Sequence, residues 1–599
     1  MPASDKKQKI NHFVVIGLIE LIFISAWSYL MFFSPESLRL NNVLEINVDA
    51  YVRLEKIYQW LDGGGWFFKI LSRVGVEDHL VLHWTRPLDV LIAPLALLLK
   101  PFYGLHDAVY IAGPMMSLPV GIIFYAMASR LALICGQRRY DSMQFSAIFV
   151  LLVPHFLFVL THRNWPDHHG LLLLLFLASL LLASRMIEGG KHAIWMLGLV
   201  LALGVWVSVE AMFALLSINI GLGLLWVTGL VKNTAKTSLL ASLATLGGIA
   251  FSLLAEFATL FPGMALDRIS TFSLLGAGAI SFIWLVAYIG DRRFAHPFVR
   301  ALIGAISAIV AGTLLFIIRP EVIHGPMADA DKWFVEVWGG IYGDGFYLVA
   351  LGVNFIIAGG IISSVWLGTK DKKSLIAGIL FMPAMLIYAG FFNANSERWA
   401  VYAEIIAIIF IIPAFFRIYD YLKSKPGIVS SVFPAIGVVV LFSLAGADTV
   451  LGQMHAEKLS SSNVRINADG KREKICYSGA AIKQLNKTFS DRNIVVMAHP
   501  NTTPAILFHS HFRVFSVPIH PDGAAVHETY NALRTTAEHF PPATGADILM
   551  ICPGGVDQAT YGKNPDSLHA RLAAGQAVAG LKQVAGDFGG YQVYKIIDN

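Results

Sequence analysis

Long apolar runs separated by short polar loops recur along the chain from residue 12 to residue 447. Many of these runs reach the roughly 18 to 20 apolar residues that a helix needs to cross a bilayer. The first run follows a basic start and is too long for the apolar part of a secretory signal, so we expect a retained first span. In all, the pattern predicts about thirteen membrane spans, at 12–34, 107–132, 143–161, 169–186, 192–209, 212–231, 237–260, 271–291, 298–318, 345–368, 374–392, 398–417 and 427–447.

One further apolar segment, "PLDVLIAPLALLLKPF" at 87–102, is not assigned as a span. If it does not cross, every short basic loop lies on the side of the N-terminus, which the positive-inside rule makes the cytoplasm. If it does cross, all later loops invert and the rule fails. We therefore expect 87–102 to be an external helix that lies at or dips into the interface. The basic positions used are Lys6, Lys7, Lys9, Arg138, Arg139, Lys191, Lys232, Lys236, Arg292, Arg293, Lys370, Lys372, Lys373, Lys423 and Lys425.

This topology places nearly every unusual polar residue on the external face. That face receives a long first loop (35–106), the loop before the span at 169–186, Glu210, a loop from Arg319 to Asp344, the turn "NANSER" and the C-terminal region. We predict a multi-pass protein of a bacterial inner membrane, with a cytoplasmic N-terminus and a periplasmic or external C-terminal region.

After about residue 448 the composition becomes that of a soluble domain. The segments "NIVVMA" and "ADILMICP" have the pattern of strands, whereas "YSGAAIKQLNKTF" and "HARLAAGQAVAGLKQVAG" have that of helices. We expect a transmembrane domain at 1–447 and an external α/β domain at 448–599, with a helix beginning near Ser478. The segment "SSSNVRINADGKRE" is predicted to be a short linker.

Composition agrees with a polytopic α-helical membrane protein. Hydrophobic residues make up 56% of the chain and charged residues 14%, and the mean hydropathy is +0.62. The formal charge of +5 is spread over loops, and we predict the lipid bilayer but no nucleic acid as a partner. The three cysteines are too few for a disulfide framework, although Cys476 and Cys552 can pair if their region is oxidising.

The first external loop carries two groups of candidate polar residues. In "NVDAYVRLEKIYQWL", Asp49, Arg53 and Lys56 have helical spacing and can share one face. They are either solvated charges on an interfacial helix or residues of a site into which Asp49 points. The later segment "HWTRPLD" supplies His83, Arg86 and Asp89, for which structural packing of the loop is the favoured interpretation.

The loop "HRNWPDHHG" at 162–170 has the most specific chemistry. A carboxylate followed two residues later by a histidine, as in Asp167 and His169, can bind one Mn²⁺, Mg²⁺ or Zn²⁺ ion. A hydrophilic turn without a metal is the alternative. Three further carboxylates on the same predicted face, those of Asp49, Glu210 and Glu336, favour a metal site assembled from several loops.

Two arginines lie at external ends of predicted spans. Arg319 closes one span and is expected to extend toward the headgroups. Arg398 opens another, in "NSERWAVYAEI", and its guanidinium is suited to a phosphate, because paired donors match phosphate oxygens.

These motifs carry a resemblance. The segments "VDAYVRLEKI", "HWTRPLD" and "DHHG" resemble the membrane domain of the catalytic subunits of archaeal and bacterial oligosaccharyltransferases, which are GT-C glycosyltransferases with polyprenyl-linked sugar donors. The resemblance implies the GT-C fold, a divalent metal (Mn²⁺ or Mg²⁺) and a protein, lipid or glycan acceptor. The Trp-Trp-Asp-Tyr-Gly motif with which those enzymes recognise the asparagine sequon is absent from the sequence.

The resemblance also implies roles for individual residues. Asp49, Asp167 and His169 correspond to metal ligands, and Arg398 to the arginine that binds the donor phosphate. Asp49 or Glu336 would orient or deprotonate the acceptor, in a displacement that inverts the anomeric centre. The remaining neighbours of the implied site, to which no role is transferred, are His168, Arg163, Glu210, His83 and Arg53.

Two other classes remain open from the residues alone. A polyprenyl-linked sugar flippase or other polytopic transporter also has many spans and polar residues at membrane depth. Such a transporter predicts inverted repeats and charges midway along spans, whereas this sequence has no evident repeat and its charges cluster at helix ends. A membrane-anchored assembly factor is the third class, and it leaves the acidic and histidine residues unexplained.

Overall fold

A computed structural model describes residues 48–67, 70–75, 80–135, 166–291, 293–294, 296–327, 346–395, 399–423, 464–466, 472–474, 476–491, 493–536 and 545–597. Helices dominate its membrane part. They are α1 (Val48–Leu61), α2 (Pro87–Met115), α3 (Ser117–Cys135), α4 (His168–Ile187), α5 (Lys191–Val207), α6 (Met212–Thr228), α7 (Thr234–Phe257), α8 (Thr271–Asp291), α9 (Pro297–Ile318), α10 (Phe346–Gly368), α11 (Lys372–Asn395) and α12 (Ala400–Lys423).

The predicted spans that fall on described residues are helices in the structure. Among those residues, eight helices are long and apolar enough to cross a membrane, and two shorter apolar helices, Lys191–Val207 and Val353–Gly368, accompany them. The predicted spans 12–34, 143–161 and 427–447 lie outside the described residues. The chain is therefore a polytopic helical protein, as the hydrophobic pattern predicts.

The segment 87–102 forms the first part of α2. Pro87 starts the helix, where the missing amide hydrogen leaves no bond unmade. Gly104 then interrupts it with a backbone φ of 76°, which a glycine adopts without strain. Leu98 and Phe102 before this break are 68% and 78% exposed. The break separates the predicted interfacial helix from the predicted span that begins at 107.

Close helix crossings build the membrane part. α7 packs against α5 and α8, α4 against α5, α6 against α11, and α10 against α12. Glycines permit two of these contacts, because a Cβ on Gly198 would meet the backbone of Ala241 and one on Gly221 would meet that of Leu380. Small residues at helix crossings are typical of membrane bundles, in which close backbone approach replaces the hydrophobic driving force.

The C-terminal part contains a five-stranded mixed sheet. Its strands are β5 (Val495–Met497), β6 (Arg513–Val514), β7 (Ile548–Ile551), β8 (Leu581–Gln583) and β9 (Gln592–Ile596). They lie in the order β6-β5-β7-β9-β8, with β5 parallel to β6 and β7, and β9 antiparallel to β7 and β8. The two short strands β1 (Ile70–Leu71) and β2 (Leu80–Val81), between α1 and α2, form a separate antiparallel pair. The surrounding helices are α13 (Ser478–Thr488), α14 (Thr503–His509), α15 (Gly523–Arg534), α16 (Gly555–Tyr561) and α17 (Leu568–Ala573).

Two local predictions for this region are wrong. The segment expected to be one helix from His569 onward ends its helix at Ala573, and 581–583 is strand β8. Gly575 and Gly580, with φ of 76° and 78°, break the helical path. The expected linker contains a hairpin, in which β3 (Val464–Ile466) pairs antiparallel with β4 (Arg472–Lys474).

A disulfide and buried polar groups stabilise the C-terminal part. Cys476 and Cys552 form the disulfide, at a sequence separation of 76. The Cys552 carbonyl accepts a hydrogen bond from His569 Nε2 (2.9 Å), and its amide donates to Asp557 (2.8 Å). His499 is only 4% exposed and lies beside Tyr561, so it is a core residue.

The segment between α1 and α2 joins the two parts of the molecule. Val74 forms a parallel bridge with Val514, which extends the sheet beyond its edge strand β6. Arg73 donates to the carbonyls of Leu507, Ser510 and Phe512, at 2.8, 2.7 and 3.2 Å, and so binds the C-terminal end of α14. The C-terminal part is thereby attached directly to the loop that carries α1.

Candidate metal and active site

The residue before α4 orients the candidate site. Asp167 has extended backbone dihedrals and caps the helix, because its Oδ1 accepts the His168 amide at 2.6 Å. The same oxygen lies 2.7 Å from His168 Nδ1. Its other oxygen, Oδ2, lies 3.6 Å from His169 Nε2. One carboxylate oxygen therefore fixes the start of the helix, and the second faces the next histidine.

A second carboxylate approaches the same histidines from another element. α5 ends at Val207, and Ser208 starts a short 3-10 turn, Val209–Ala211, by accepting the Glu210 amide at 3.3 Å. Glu210 Oε2 lies 3.6 Å from His169 Nδ1 and 4.0 Å from His168 Nε2. Both imidazole rings therefore lie between Asp167 and Glu210.

The electrostatic surroundings keep Asp167 charged. Burial alone would raise its pKa, but attraction by His169 and His168, the hydrogen bond with His168 and attraction by Arg53 outweigh burial and lower the pKa well below its usual range. A buried aspartate that remains ionised is a suitable ligand for a cation.

α1 brings a buried cation to this cluster. Arg53 Nη2 lies 3.3 Å from His168 Nδ1, and its guanidinium stacks 4.5 Å from the centre of the Trp84 ring. The side chain is buried and interacts electrostatically with Asp89, Asp167 and Asp49. Its charge is therefore shared among carboxylates of three different segments.

A network around Asp89 fixes that arginine. Asp89 is fully buried and is approached by Lys56 Nζ at 2.8 Å, Arg86 Nη1 at 3.2 Å and Arg53 Nη1 at 4.0 Å. Lys56 also donates to the carbonyls of Trp84 and Thr85. Burial lowers the pKa of Lys56 to about 8, against the attraction of Asp89. These charges are not solvated, so the solvated alternative for Arg53 and Lys56 is wrong.

The donor set fits a divalent cation. The ligand atoms of Asp167, His168 and His169 all lie within 4.8 Å of one another. Two ligands of one ion, each about 2.1 Å from it, are separated by at most about 4.2 Å, so the 3.6 Å between Asp167 Oδ2 and His169 Nε2 is compatible with joint ligation. Carboxylate and imidazole together suit Mn²⁺ or Zn²⁺, and Mg²⁺ would depend more on oxygen ligands.

Other predicted residues are placed differently. Asp49 lies on α1 and interacts with Arg53, but it is not one of the three clustered residues, so its role as a ligand stays a prediction. His83 lies against Trp84 in the loop before α2, with ring centres 5.3 Å apart. Three further predicted residues lie outside the described residues: Arg163, Glu336 and Arg398.

A narrow apolar cavity adjoins the cluster inside the bundle. Glu210 is the only charged residue among those that line it, and aromatic rings form much of its wall. Tyr388 and Tyr402 stack there, with ring centres 4.4 Å apart. The lining residues are Leu172, Leu175, Phe176, Ser179, Val200, Leu201, Gly204, Glu210, Ala211, Ala214, Tyr388, Trp399 and Tyr402.

Sequence reasoning did not find the Lys56–Asp89 pair or the approach of Glu210 to His169. Helical spacing places Lys56 on the face of Asp49 and Arg53, but it carries no information on the loop that folds back over it. Likewise, the predicted membrane topology places Glu210 on the same face as His169, whereas the packing of α4 against α5 brings the two side chains together.

The sequence matches no protein-family model and no curated protein. Solved structures do match. The archaeal oligosaccharyltransferase AglB from Archaeoglobus fulgidus, in complex with an inhibitory peptide and a dolichol-phosphate, superposes with a TM-score of 0.62 and 14% identity, over 98% of this chain and 74% of that one. The same enzyme in complex with zinc and sulfate gives a TM-score of 0.60 and 15% identity, over 89% and 68%.

At this level of identity the likeness concerns the fold. It extends over nearly the whole chain and includes both the helical part and the sheet-containing C-terminal part. The chain thus has the polytopic GT-C membrane fold of the archaeal oligosaccharyltransferase.

Proposed function

We propose that this chain is a metal-dependent membrane glycosyltransferase that transfers a sugar or oligosaccharide from a polyprenyl-phosphate or polyprenyl-diphosphate donor to an acceptor on the external face. The observation that carries the proposal is the cluster of Asp167, His168 and His169 at the first turn of an apolar helix. A cation site at that position suits a donor whose phosphate lies at the headgroup level and whose tail lies among the helices. The shared fold supports the same class of reaction.

We assign separate roles in metal binding and phosphate stabilisation to the residues of this site. Asp167 and His169, with Asp49 as a further predicted ligand, would hold the divalent ion. When bound, the ion supplies Lewis-acid stabilisation of the departing phosphate. Arg53, buried beside the cluster, adds positive charge where negative charge develops, and we keep Arg398 as the predicted phosphate-binding arginine.

The transfer is a single displacement at the anomeric carbon. The bond from that carbon to the phosphate oxygen breaks as the bond to the acceptor forms, and the electron pair leaves with the lipid phosphate. The acceptor proton passes to a carboxylate, which we assign to Asp49 or Glu336. A displacement in one step inverts the anomeric configuration.

The division of the chain follows from the same proposal. The catalytic part would comprise residues 1–447, and an external α/β domain would comprise 448–599, with the boundary outside the described residues. The Cys476–Cys552 disulfide supports an oxidising compartment for the C-terminal part, as on the periplasmic side of a bacterial inner membrane. The N-terminus would then be cytoplasmic.

Activity on lipid-linked saccharides tests the proposal. The purified full-length protein is incubated with lipid-linked saccharides from its host, with Mn²⁺ or Mg²⁺ or with a chelator, and loss of lipid-linked sugar is followed. We expect consumption only with metal, and at least about a hundredfold loss in Asp167→Asn and His169→Ala. Activity that survives in Asp167→Asn or in chelator contradicts the metal role, and failure to consume any lipid-linked sugar contradicts the transferase.

Matched variants control for the substitutions. Glu188→Gln changes an exposed carboxylate at the opposite end of α4, and His192→Ala changes an exposed histidine on α5. Both variants should retain full activity.

A cysteine introduced in the 161–169 loop tests the proposed topology. It should react with an impermeant maleimide from the external side, and labelling only from the cytoplasm contradicts the proposed orientation.

A further inference from the structure

Glu210 is a partly buried carboxylate for which the proposed reaction gives no role. It follows α5 on the turn Val209–Ala211, whereas the clustered residues begin α4. Its side chain is 12% exposed, and its Oε2 lies 3.6 Å from His169 Nδ1. Burying a carboxylate is unfavourable unless it is paired, so its position beside two histidines needs a physical reason.

The two nitrogens of His169 face different carboxylates. Nε2 faces Asp167 Oδ2 and Nδ1 faces Glu210 Oε2, each at 3.6 Å. In a neutral imidazole one nitrogen donates and the other has a lone pair. If Nε2 uses its lone pair for a cation held with Asp167, Nδ1 must carry the proton, and Glu210 is the acceptor that faces it.

We propose that Glu210 is a positioning residue, which holds His169 in the tautomer and orientation that present Nε2 to a divalent cation beside Asp167. This inference rests on the metal site of the proposed function. Ligating histidines commonly donate their second ring nitrogen to a carboxylate, and removal of that carboxylate typically weakens metal binding about 10- to 100-fold.

The turn that carries Glu210 is held in place by its surroundings. Ser208 caps it, and Gly204 of α5 lets it approach closely, because a Cβ on Gly204 would lie 3.0 Å from the Cβ of Ala211. Tyr388 and Trp399 line the cavity on which the Glu210 side chain also borders. A residue on such a turn can restrict the ring of His169, because its own backbone has little freedom.

Metal affinity measured on the purified full-length protein tests this role. Mn²⁺ binding is measured by electron paramagnetic resonance, without lipid donor, for the wild type and for Glu210→Ala, Glu210→Gln and the control Glu188→Ala. We expect about 10- to 100-fold weaker binding for Glu210→Ala. Glu210→Gln, which keeps an acceptor oxygen, should lose less, and Glu188→Ala should bind as the wild type does.

A double variant separates positioning from a structural effect. If Glu210 acts through His169, Glu210→Ala should weaken Mn²⁺ binding no further in a protein that already carries His169→Ala. If Glu210→Ala weakens Mn²⁺ binding by the same factor in the His169→Ala protein as in the wild type, the inference is wrong. Wild-type Mn²⁺ affinity in the single variant Glu210→Ala also contradicts it. The outcome for the proposed function is distinct, because that metal site fails only if the wild type binds no Mn²⁺ or if Asp167→Asn binds it unchanged.

Discussion

Arg53 of α1 places Nη2 3.3 Å from Nδ1 of His168, although the two residues are 115 positions apart. A cation beside a proposed metal site has two opposing effects. In the proposed reaction it would attract the phosphate of the donor, and it would repel a divalent ion held by Asp167 and His169. The effect of Arg53 on metal binding should therefore depend on whether the donor is bound.

Arg53→Gln should consequently change two measurements in opposite directions. We expect Mn²⁺ binding in the absence of donor to become at least about tenfold tighter. The repulsion energy between one charge and a divalent ion a few ångströms away exceeds about 1.4 kcal/mol at an effective dielectric constant near 20, and the variant removes that repulsion. The KM for the lipid-linked donor should rise. Arg185→Gln, an exposed change at the other end of α4, is the control. A variant in which both measurements weaken together argues for simple loss of folding.

Asp89 should be more important for stability than for chemistry. Asp89→Asn leaves Lys56 and Arg86 buried without their shared carboxylate, and breaking a buried pair typically costs about 3–5 kcal/mol. We expect a lower thermal midpoint in detergent. Lys56→Met added to Asp89→Asn should recover part of the loss, since it removes one uncompensated cation. Glu188→Gln, at an exposed carboxylate, should leave the midpoint unchanged.

The sequence predicts those features that depend on neighbours along the chain. The apolar runs predict the described membrane helices, and "DHHG" brings together three candidate ligands because consecutive residues at a helix start are close whatever the tertiary fold. Features that depend on packing were missed. The Lys56–Asp89 ion pair spans 33 positions, and no periodicity specifies which loop covers a polar helix face.

Local patterns also mislead where backbone geometry overrides composition. The alanine-rich segment after His569 has helical periodicity, but Gly575 and Gly580 adopt positive φ and end the helix at Ala573. The missing helix becomes strand β8, whose one partner among the described strands is β9. Strand β8 depends on its pairing with β9, and the local sequence pattern carries no information on that contact.

Arg73 should control attachment of the C-terminal part to the first loop. Arg73→Ala removes its bonds to three carbonyls at the end of α14 and to Glu55, which together should lower stability by about 2–4 kcal/mol. Arg73 has a φ of 68°, so Arg73→Gly should lose about 1 kcal/mol less than Arg73→Ala. Faster proteolysis between the two parts is the measurement, with Arg534→Ala as the control. Equal proteolysis of the alanine variant and the wild type refutes this role.

Acid should loosen the same junction through His509. Burial and the nearby His106 lower the pKa of His509 to about 4, against the opposing effect of Asp107. The ring lies against Tyr51 and Tyr110 as well. Because the folded pKa lies below the ordinary value near 6.5, the unfolded state binds the proton first, and stability is lost as the pH falls from about 6.5 towards 4.

Hydrogen exchange of peptides covering 503–509 measures that effect. At pH 5 the wild type should exchange faster, relative to pH 7.5 and after correction for intrinsic rates, than His509→Phe, which keeps an aromatic ring but cannot be protonated. His192→Phe, at an exposed histidine of α5, should behave as the wild type. The same pH dependence in His509→Phe would assign the effect to another group.

Thiol counting tests the disulfide and the compartment together. The denatured, unreduced protein should take up one maleimide, at Cys135, and three after reduction, because Cys476 and Cys552 are paired. Closing a loop of 76 residues stabilises a fold by about 4 kcal/mol in the chain-entropy model. Cys476→Ser should therefore unfold the C-terminal part at lower temperature, whereas Cys135→Ser should not. Three reactive thiols in unreduced protein purified from native membranes would place that part in a reducing compartment and contradict an external C-terminus.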